Sequence, residues 1–351
     1  MTSPYPSMLR RRPRLLAATA ALSLAATAAL AAATTATATA DAGSGAPAAK
    51  AAAAVPVGLN APYLYLGWGS PQSATSVMSA TGVKQFTMAF ILSDGGCNPK
   101  WDGSRALTGG NDQSTINAIR AAGGDVTVSI GGWSGNKLGE KCASATALAG
   151  AYQKTIDALK LKSIDIDIED TEFTNATVRE RVVDALKIIK TNNPGVTVYV
   201  TFGTTRTGPD ATGLDLIKRG ANNKLDIEGW AVMPFDFDEG TIDMVAATKG
   251  AVDGLKNAVA SAYGLSSDAA YRKVGFSSMN GKSDVPGETV SVANFKSMVS
   301  YATSKHLSRV SFWAVNRDRA CGGSTTDAGS DCSGVSQSAL DFTKALAAYT
   351  G

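Results

Sequence analysis

Short β-rich runs alternate with helical patterns along most of this chain, and no other feature limits its possible folds as much. Eight runs have the composition of strands: Tyr63–Leu66, Gln85–Leu92, Asp125–Gly131, Ser163–Glu169, Thr197–Phe202, Gly229–Met233, Lys273–Ser277 and Val310–Ala314. Helical patterns lie between most of them, such as Ser144–Lys160, Thr177–Asn192, Asp243–Tyr263 and Val292–Lys305. Strands that alternate with helices form a parallel sheet covered by helices.

Eight strand–helix units over this length predict an α/β fold of the closed (β/α)8 TIM-barrel type in a single domain. The alternative is an open, doubly wound sheet. That fold normally carries a glycine-rich phosphate loop after its first strand, and the segment Pro62–Gly69 has no such loop. The barrel is therefore the preferred prediction.

The N-terminus has the layout of a secretory signal peptide. Residues 10–14 read Arg-Arg-Arg-Pro-Arg, an apolar run follows to about Ala33, and small residues end at Ala38-Thr39-Ala40. We predict a signal peptide at 1–40, an Ala/Gly/Pro-rich linker at 41–58, and one barrel domain at 59–351. A retained membrane anchor is the alternative, although alanine makes this run weakly hydrophobic. The general and the twin-arginine export routes both stay open.

Removal of residues 1–40 takes away four arginines and no acids, so the formal charge of +3 becomes −1. A nearly neutral protein has no electrostatic attraction to nucleic acid or to anionic lipid. We therefore expect that the cleaved protein binds neither nucleic acid nor membrane. The predicted signal peptide makes it an extracellular protein, and we expect a monomer.

Cysteine and histidine content narrows the chemistry further. Four cysteines in an exported chain predict disulfides, and the pairs Cys97–Cys142 and Cys321–Cys332 are the simplest of the three possible pairings. A metal site is the alternative, but Cys-x-x-Cys spacing is absent from the sequence. The single histidine, His306, lies at a predicted helix end and is assigned a structural role. We predict no metal and no cofactor.

One predicted strand carries three acids. In the segment from Ser163 to Glu169, Asp165, Asp167 and Glu169 alternate with isoleucines, so the acids share one face. Inside a barrel, neighbouring acids about 6.6 Å apart resist joint ionisation. The outermost, Glu169, lies where barrel active sites form and is predicted to keep its proton near neutral pH as a general acid.

Other interpretations of this acid row remain. Asp-x-Asp-x-Glu is compatible with calcium, although calcium ligands usually come from a loop. The run is also compatible with an edge strand whose acids face solvent. A third interpretation is a barrel whose acids bind sugar without cleaving it.

The acid row resembles the Asp-x-x-Asp-x-Asp-x-Glu motif of glycoside hydrolase family 18, the chitinases and their relatives. Three further segments resemble family motifs in the expected order: Ser129–Trp133 (Ser-Ile-Gly-Gly-Trp), Met233–Asp236 (Met-Pro-Phe-Asp) and Phe312–Asp318 (Phe-Trp-Ala-Val-Asn-Arg-Asp). The resemblance covers nearly the whole domain after Gly58. It implies a catalytic barrel that hydrolyses β-1,4 links of chitin or N-acetylglucosamine oligosaccharides.

The resemblance also implies roles for individual residues. Glu169 would protonate the leaving oxygen, and the acetamide of the substrate would act as the nucleophile in a substrate-assisted retaining mechanism. Asp167 would orient that acetamide, and Asp165 would tune Asp167 by sharing a proton or hydrogen bond. The implied substrate-binding residues are Trp313 as a plate beneath the sugar, Ser129, Met233, Phe235 and Asp236.

Two positions depart from the family pattern. Lys162 occupies the first acid position, and Phe235 replaces a tyrosine whose hydroxyl would donate a hydrogen bond. Two other functions therefore stay open beside the chitinase: an endo-β-N-acetylglucosaminidase acting on glycans, and a sugar-binding barrel without hydrolysis. Trp68, Trp101 and Trp133 are candidates for outer sugar subsites, or for simple packing.

Overall fold

The computed structural model describes residues 56–322 and 328–351. The predicted signal peptide and residues 41–55 of the predicted linker lie outside the described residues. The strands of the main sheet run in chain order from β1 to β11, with β3 paired antiparallel to β2 at its edge. Their bounds are β1 Tyr63–Tyr65, β2 Gln85–Ser93, β3 Pro99–Trp101, β4 Asp125–Gly131, β5 Ser163–Asp167, β6 Thr197–Gly203, β7 Gly229–Met233, β8 Val274–Met279 and β11 Arg309–Trp313.

The eight strands other than β3 are parallel to their neighbours and form the barrel. The two edges meet where the Val310 N–H donates to the Leu59 carbonyl at 2.8 Å and the Ser311 hydroxyl donates to the Ala61 carbonyl at 2.7 Å. Neighbours in the sheet are also neighbours in the chain, an order that a doubly wound sheet does not have. The predicted barrel is confirmed.

Helices cover the outside of this barrel, as the alternation predicts. They are α1 Ala74–Thr81, α2 Asn111–Ala121, α3 Leu138–Lys141, α4 Ala145–Leu159, α5 Asp170–Thr174, α6 Ala176–Asn192, α7 Ala211–Asn222, α8 Met244–Tyr263, α9 Ser267–Tyr271, α10 Val292–Lys305 and α11 Asp341–Ala347. A short hairpin, β9 Gly281–Lys282 and β10 Thr289–Val290, follows β8. His306 caps the C-terminus of α10 with a left-handed backbone, which agrees with the structural role assigned to it.

The isoleucines of β5 pack outward and its acids lie inside. Ile164, Ile166 and Ile168 are completely buried in the hydrophobic core that also contains residues of α6 such as Val182 and Leu186. Burying each isoleucine stabilises the fold by about 1.5–3 kcal/mol. This apolar face fixes which side chains of β5 point toward the helices, because a register slip of one residue would turn the isoleucines to the barrel interior. The acids must then face the barrel interior.

No helix in the ranges 56–322 and 328–351 combines the length and the hydropathy needed to cross a bilayer.

Candidate active site

The acid row begins inside β5 and continues beyond it. Asp165 and Asp167 lie in the strand, whereas Glu169 is the residue before α5, so the predicted strand Ser163–Glu169 is two residues too long. The Ile168 N–H still donates to the carbonyl of Thr201 on β6 at 2.9 Å, and Glu169 has extended backbone angles (φ −134°, ψ 173°). The alternation of faces therefore extends to Glu169 although the paired strand has ended.

Asp165 is the innermost acid and is completely buried. Its Oδ2 accepts hydrogen bonds from the hydroxyls of Tyr63 at 2.7 Å and Ser129 at 2.8 Å. Its Oδ1 accepts from the Thr201 hydroxyl at 2.7 Å and lies 3.7 Å from Nη2 of Arg309. Both oxygens of Asp165 thus accept hydrogen bonds from hydroxyl groups on three other residues. Ser129, assigned to substrate binding, is completely buried and contacts the acid row.

Asp167 has a different environment. Burial raises the pKa of Asp167 well above its usual value, and the neighbouring charges of Glu169 and Asp165 raise it further. Its Oδ1 is buried and has no hydrogen-bond partner in the described structure. The hydrogen bond expected between Asp165 and Asp167 is not formed among the described residues, because hydroxyl donors and Arg309 surround the oxygens of Asp165.

Glu169 is the most accessible acid of the row. Burial raises the pKa of Glu169 to about 7; the ammonium of Lys137 opposes this shift, and the charges of Asp236, Asp170 and Asp165 add to it. A carboxyl group with a pKa near neutrality holds a proton that it can donate at neutral pH. The protonation predicted for Glu169 agrees with this environment.

A buried lysine beside the acids was missed by the sequence analysis. Lys137, in the loop after β4, is 1% exposed, and its Nζ donates to the carbonyls of Gly132 and Ser134. Burial lowers the pKa of Lys137, while the charges of Glu172, Glu169 and Asp167 raise it. No local pattern marks this lysine, because its importance comes from residues on other elements.

Aromatic rings line the opposite side of the barrel mouth. The Trp313 ring, at the end of β11, stacks on the Phe90 ring with centroids 5.5 Å apart and an interplanar angle of 18°. The rings of Tyr63, Tyr65 and Trp68 lie 5.7–6.1 Å from Trp313. Trp313 itself is partly exposed, so one region of the indole is available to a ligand.

The other candidate tryptophans divide into two groups. Trp68 is 48% exposed and Trp133 is 67% exposed, on loops after β1 and β4. Trp101 is completely buried in β3, where its indole N–H donates to the Leu107 carbonyl at 3.4 Å. The outer-subsite role considered for Trp101 is therefore wrong, because a side chain without exposed surface cannot stack on a sugar.

The end of β7 and the loop after it carry the remaining predicted residues. Met233 is buried, Phe235 is partly buried and Asp236 is exposed with a left-handed backbone (φ 55°). The carboxylate of Glu288 accepts the backbone N–H groups of Asp236 at 2.7 Å, Phe237 at 2.7 Å and Asp238 at 3.2 Å. Glu288, which lies next to β10 and is 1% exposed, thus organises this loop; the sequence analysis did not identify it.

Both predicted disulfides are confirmed. Cys97–Cys142 joins the loop after β2 to the segment between α3 and α4, and Cys321–Cys332 closes a loop after β11. Lys162, at the departure from the family motif, has a 71% exposed side chain that pairs with Asp125 at 3.0 Å. Lys162 therefore lies outside the buried acid row rather than disrupting it.

No protein-family model matches the chain. The probable bifunctional chitinase/lysozyme of Escherichia coli is 27% identical over 280 residues, and Endochitinase 11 of Metarhizium anisopliae is 26% identical over 278 residues. Each alignment covers 75% of this chain but 31% and 53% of the respective relative. The chain thus spans about a third and about half of the length of these curated relatives.

Solved structures show the same fold. The catalytic domain of the hyperthermophilic chitinase from Pyrococcus furiosus has a TM-score of 0.75 at 22% identity, over 84% of this chain and 96% of that one. A family 18 chitinase from Pseudoalteromonas aurantia has a TM-score of 0.54 at 13% identity, over 72% and 93% of the two chains.

This (β/α)8 barrel carries a row of acids at the carboxyl end of β5, which is the fourth strand of the barrel. That is the architecture of a barrel glycoside hydrolase. Within that class, the similarities of sequence and of structure both point to chitinases. They confirm the predicted resemblance of this chain to glycoside hydrolase family 18.

Proposed function

We propose that this protein is a chitinase that hydrolyses β-1,4 links between N-acetylglucosamine units, with Glu169 as the proton donor. The observation that carries the proposal is the environment of Glu169, a carboxyl group with a pKa of about 7 at the carboxyl end of β5. It stands beside Asp167, whose buried Oδ1 lacks a partner in the described structure. A proton donor next to an unoccupied acceptor suits a substrate that carries an amide close to the bond that breaks.

The reaction follows from these two groups. Glu169 gives its proton to the glycosidic oxygen as the bond to the anomeric carbon breaks, and the acetamide oxygen of the same sugar attacks that carbon. Asp167 accepts the acetamide N–H, and the negative charge shared by the Asp165–Asp167 pair stabilises the positive oxazolinium intermediate. Water then opens the intermediate after giving a proton to Glu169, so the product keeps the β configuration.

Trp313 completes the site on the other side of the barrel mouth. The partly exposed indole offers an apolar plate to the C–H-rich face of the reacting sugar, and the stack on Phe90 holds that plate in place. Asp236 stands on the loop after β7, where a sugar hydroxyl is its natural partner. The chemistry described needs no metal and no cofactor.

The decisive experiment compares Glu169→Gln with Glu172→Gln on a purified N-acetylglucosamine oligomer. Glutamine cannot donate the proton, so Glu169→Gln should lose at least about 10²-fold in kcat. Glu172 is a matched control because it is buried and has a pKa of about 7, yet it accepts the Gly139 N–H and takes no step in the proposed reaction. Its glutamine variant should stay within about threefold of the wild type.

Proton NMR of the first product supplies the second measurement. The mechanism predicts that the β anomer forms first and then mutarotates. The α anomer as first product, or full activity in Glu169→Gln, would refute the mechanism. Cleavage of glycoprotein glycans in place of chitin oligomers would favour the endo-β-N-acetylglucosaminidase, and binding without cleavage would favour the sugar-binding barrel.

We further propose that the protein is secreted and acts as an extracellular monomer on chitin, with residues 1–40 as signal peptide, 41–58 as linker and 59–351 as catalytic domain. Two disulfides are consistent with an oxidising compartment. The arginines at 10–14 followed by an apolar run support export.

A further inference from the structure

A second buried cation lies beneath the acid row. Arg309, the first residue of β11, is completely buried within the barrel. Its guanidinium carbon lies 4.8 Å from the ring centroid of Tyr199 and 5.9 Å from that of Tyr63. Nη2 donates to the Thr87 hydroxyl at 3.1 Å, whereas Nε and Nη1 have no partner in the described structure.

A guanidinium in this position needs a nearby anion. Arginine keeps its charge in proteins, and an isolated buried charge costs several kcal/mol. Asp165 supplies that anion, with 3.7 Å between Nη2 and Oδ1. The aromatic rings on either side are weak partners compared with a carboxylate, so the two buried charges depend on each other.

We propose that Arg309 is a positioning residue that holds the negative charge of the buried Asp165–Asp167 pair on Asp165 and thereby leaves the proton on Asp167. The geometry supports this division of charge. Asp165 has three hydroxyl donors and Arg309 around it, whereas Asp167 has an acceptor oxygen without a partner in the described structure. The role in turnover rests on the proposed chitinase activity, but the charge distribution itself does not.

The charged and titratable groups around the pair come from several elements. Tyr63 on β1, Tyr199 on β6 and Arg309 on β11 lie around Asp165. Glu169 and Lys137 act on Asp167 from the barrel mouth, with opposite signs. Lys137 thus acts on the pair from the barrel mouth, and Arg309 is the cation next to Asp165.

The sign of the effect follows from the charges. Arg309 lowers the pKa of Asp167 and stands closest to Asp165, so it favours the first ionisation of the pair. Without this cation, that ionisation needs a higher pH. The positive intermediate needs one negative charge in the pair. A variant without Arg309 should therefore lose activity on acidification at a higher pH than the wild type does.

The first test is the pH profile of kcat/KM on an N-acetylglucosamine oligomer. Arg309→Met should move the acid limb upward by about 1–2 pH units, the size expected for loss of an opposite charge within 4–6 Å. Arg309→Lys keeps a charge and should leave the limb within about half a unit of the wild type. A lower rate at every pH with an unmoved acid limb in Arg309→Met would overturn the proposal.

The second test needs no substrate and therefore separates this inference from the proposed activity. Arg309→Met and Asp165→Asn each leave one buried charge alone, so each should reduce the folded-to-unfolded ratio by at least about 10²-fold. The double variant removes both charges and should be more stable than either single variant. If the losses simply multiply, or if neither the single nor the double variant folds, the coupling between Arg309 and Asp165 is refuted.

Discussion

At the scale of single residues, the site depends on carboxyl groups whose burial opposes their ionisation. Glu169 must be protonated to donate, and its pKa is about 7. Activity should therefore fall as pH rises through that value. The ammonium of Lys137 keeps this pKa lower than burial alone would make it.

Replacement of Lys137 tests this balance. Lys137→Met removes the opposing charge, so the pKa of Glu169 should rise and the alkaline limb of kcat/KM should move upward by about one pH unit. The measurement is the pH profile from 5 to 10. Lys141→Met, at an exposed lysine in α3, is the control and should leave the profile unchanged. A downward shift in Lys137→Met would contradict the assigned electrostatics.

Glu172 should affect stability rather than catalysis. Burial raises its pKa from 4.5 to about 7, so the folded state binds a proton that the unfolded state has already lost between these values. The free energy of unfolding must then decrease as pH rises from 4.5 to 7. A shift of this size corresponds to on the order of 3 kcal/mol.

Glu172→Gln carries no charge at any pH and should remove this contribution. Denaturant unfolding at pH 5 and pH 8 should show a smaller loss of stability in the variant than in the wild type. Glu180→Gln, at an exposed position of α6, is expected to follow the wild type. Parallel losses in the wild type and Glu172→Gln would show that the Glu172 carboxyl does not titrate in this range.

At the scale of elements, the hairpin β9–β10 supports the loop after β7. The Glu288 carboxylate beside β10 accepts three successive backbone N–H groups of that loop, including that of Asp236. The left-handed backbones of Asp236 and Asp238 are costly for residues with a Cβ, so the loop needs such external acceptors.

Loss of this support should disturb substrate binding. Glu288→Ala leaves the loop amides without acceptors, so we expect a rise in KM of about tenfold and a loss of stability of about 3 kcal/mol. Kinetics on an N-acetylglucosamine oligomer and denaturant unfolding measure the two effects. Glu288→Gln retains one accepting oxygen and should lie between the alanine variant and the wild type. An unchanged KM in Glu288→Ala would show that the loop does not depend on this carboxylate.

The elements themselves were predicted closely where the periodicity was strong. Asp125–Gly131, Gly229–Met233 and Val292–Lys305 have the predicted bounds. The hairpin β9–β10 was missed because strands of two residues are too short to show an alternating pattern. The end of β5 was placed two residues late, since extended backbone angles continue past the last paired residue.

At the scale of the whole molecule, the proposed signal peptide at 1–40 can be tested by export. If residues 1–40 are a signal peptide, expression of the full chain in an exporting bacterial host should release a protein that begins near Asp41. Mass spectrometry and N-terminal sequencing of the culture medium measure this. Replacement of Arg10 and Arg11 by lysine should stop export only if the twin-arginine route is used. Retention of the uncleaved chain in the membrane would support the anchor.

The sequence by itself determined the architecture and the inward direction of the central acids, because both follow from short-range patterns of residues. Alternating strands and helices specify the barrel, and isoleucine on every second position of β5 turns Asp165, Asp167 and Glu169 inward. The even cysteine count predicted disulfides, and the simplest of the three possible pairings is the one that forms.

Only the tertiary structure decided how those acids are charged. The cation next to Asp165 comes from Arg309, the one near Glu169 from Lys137, and the acceptor behind the Asp236 loop from Glu288. Arg309 is far from Asp165 in the chain, and the two meet because β11 and β5 each direct one of these side chains into the closed barrel. Electrostatic energy depends on distances in space and on exclusion of water, and neither is encoded in the spacing of residues along the chain.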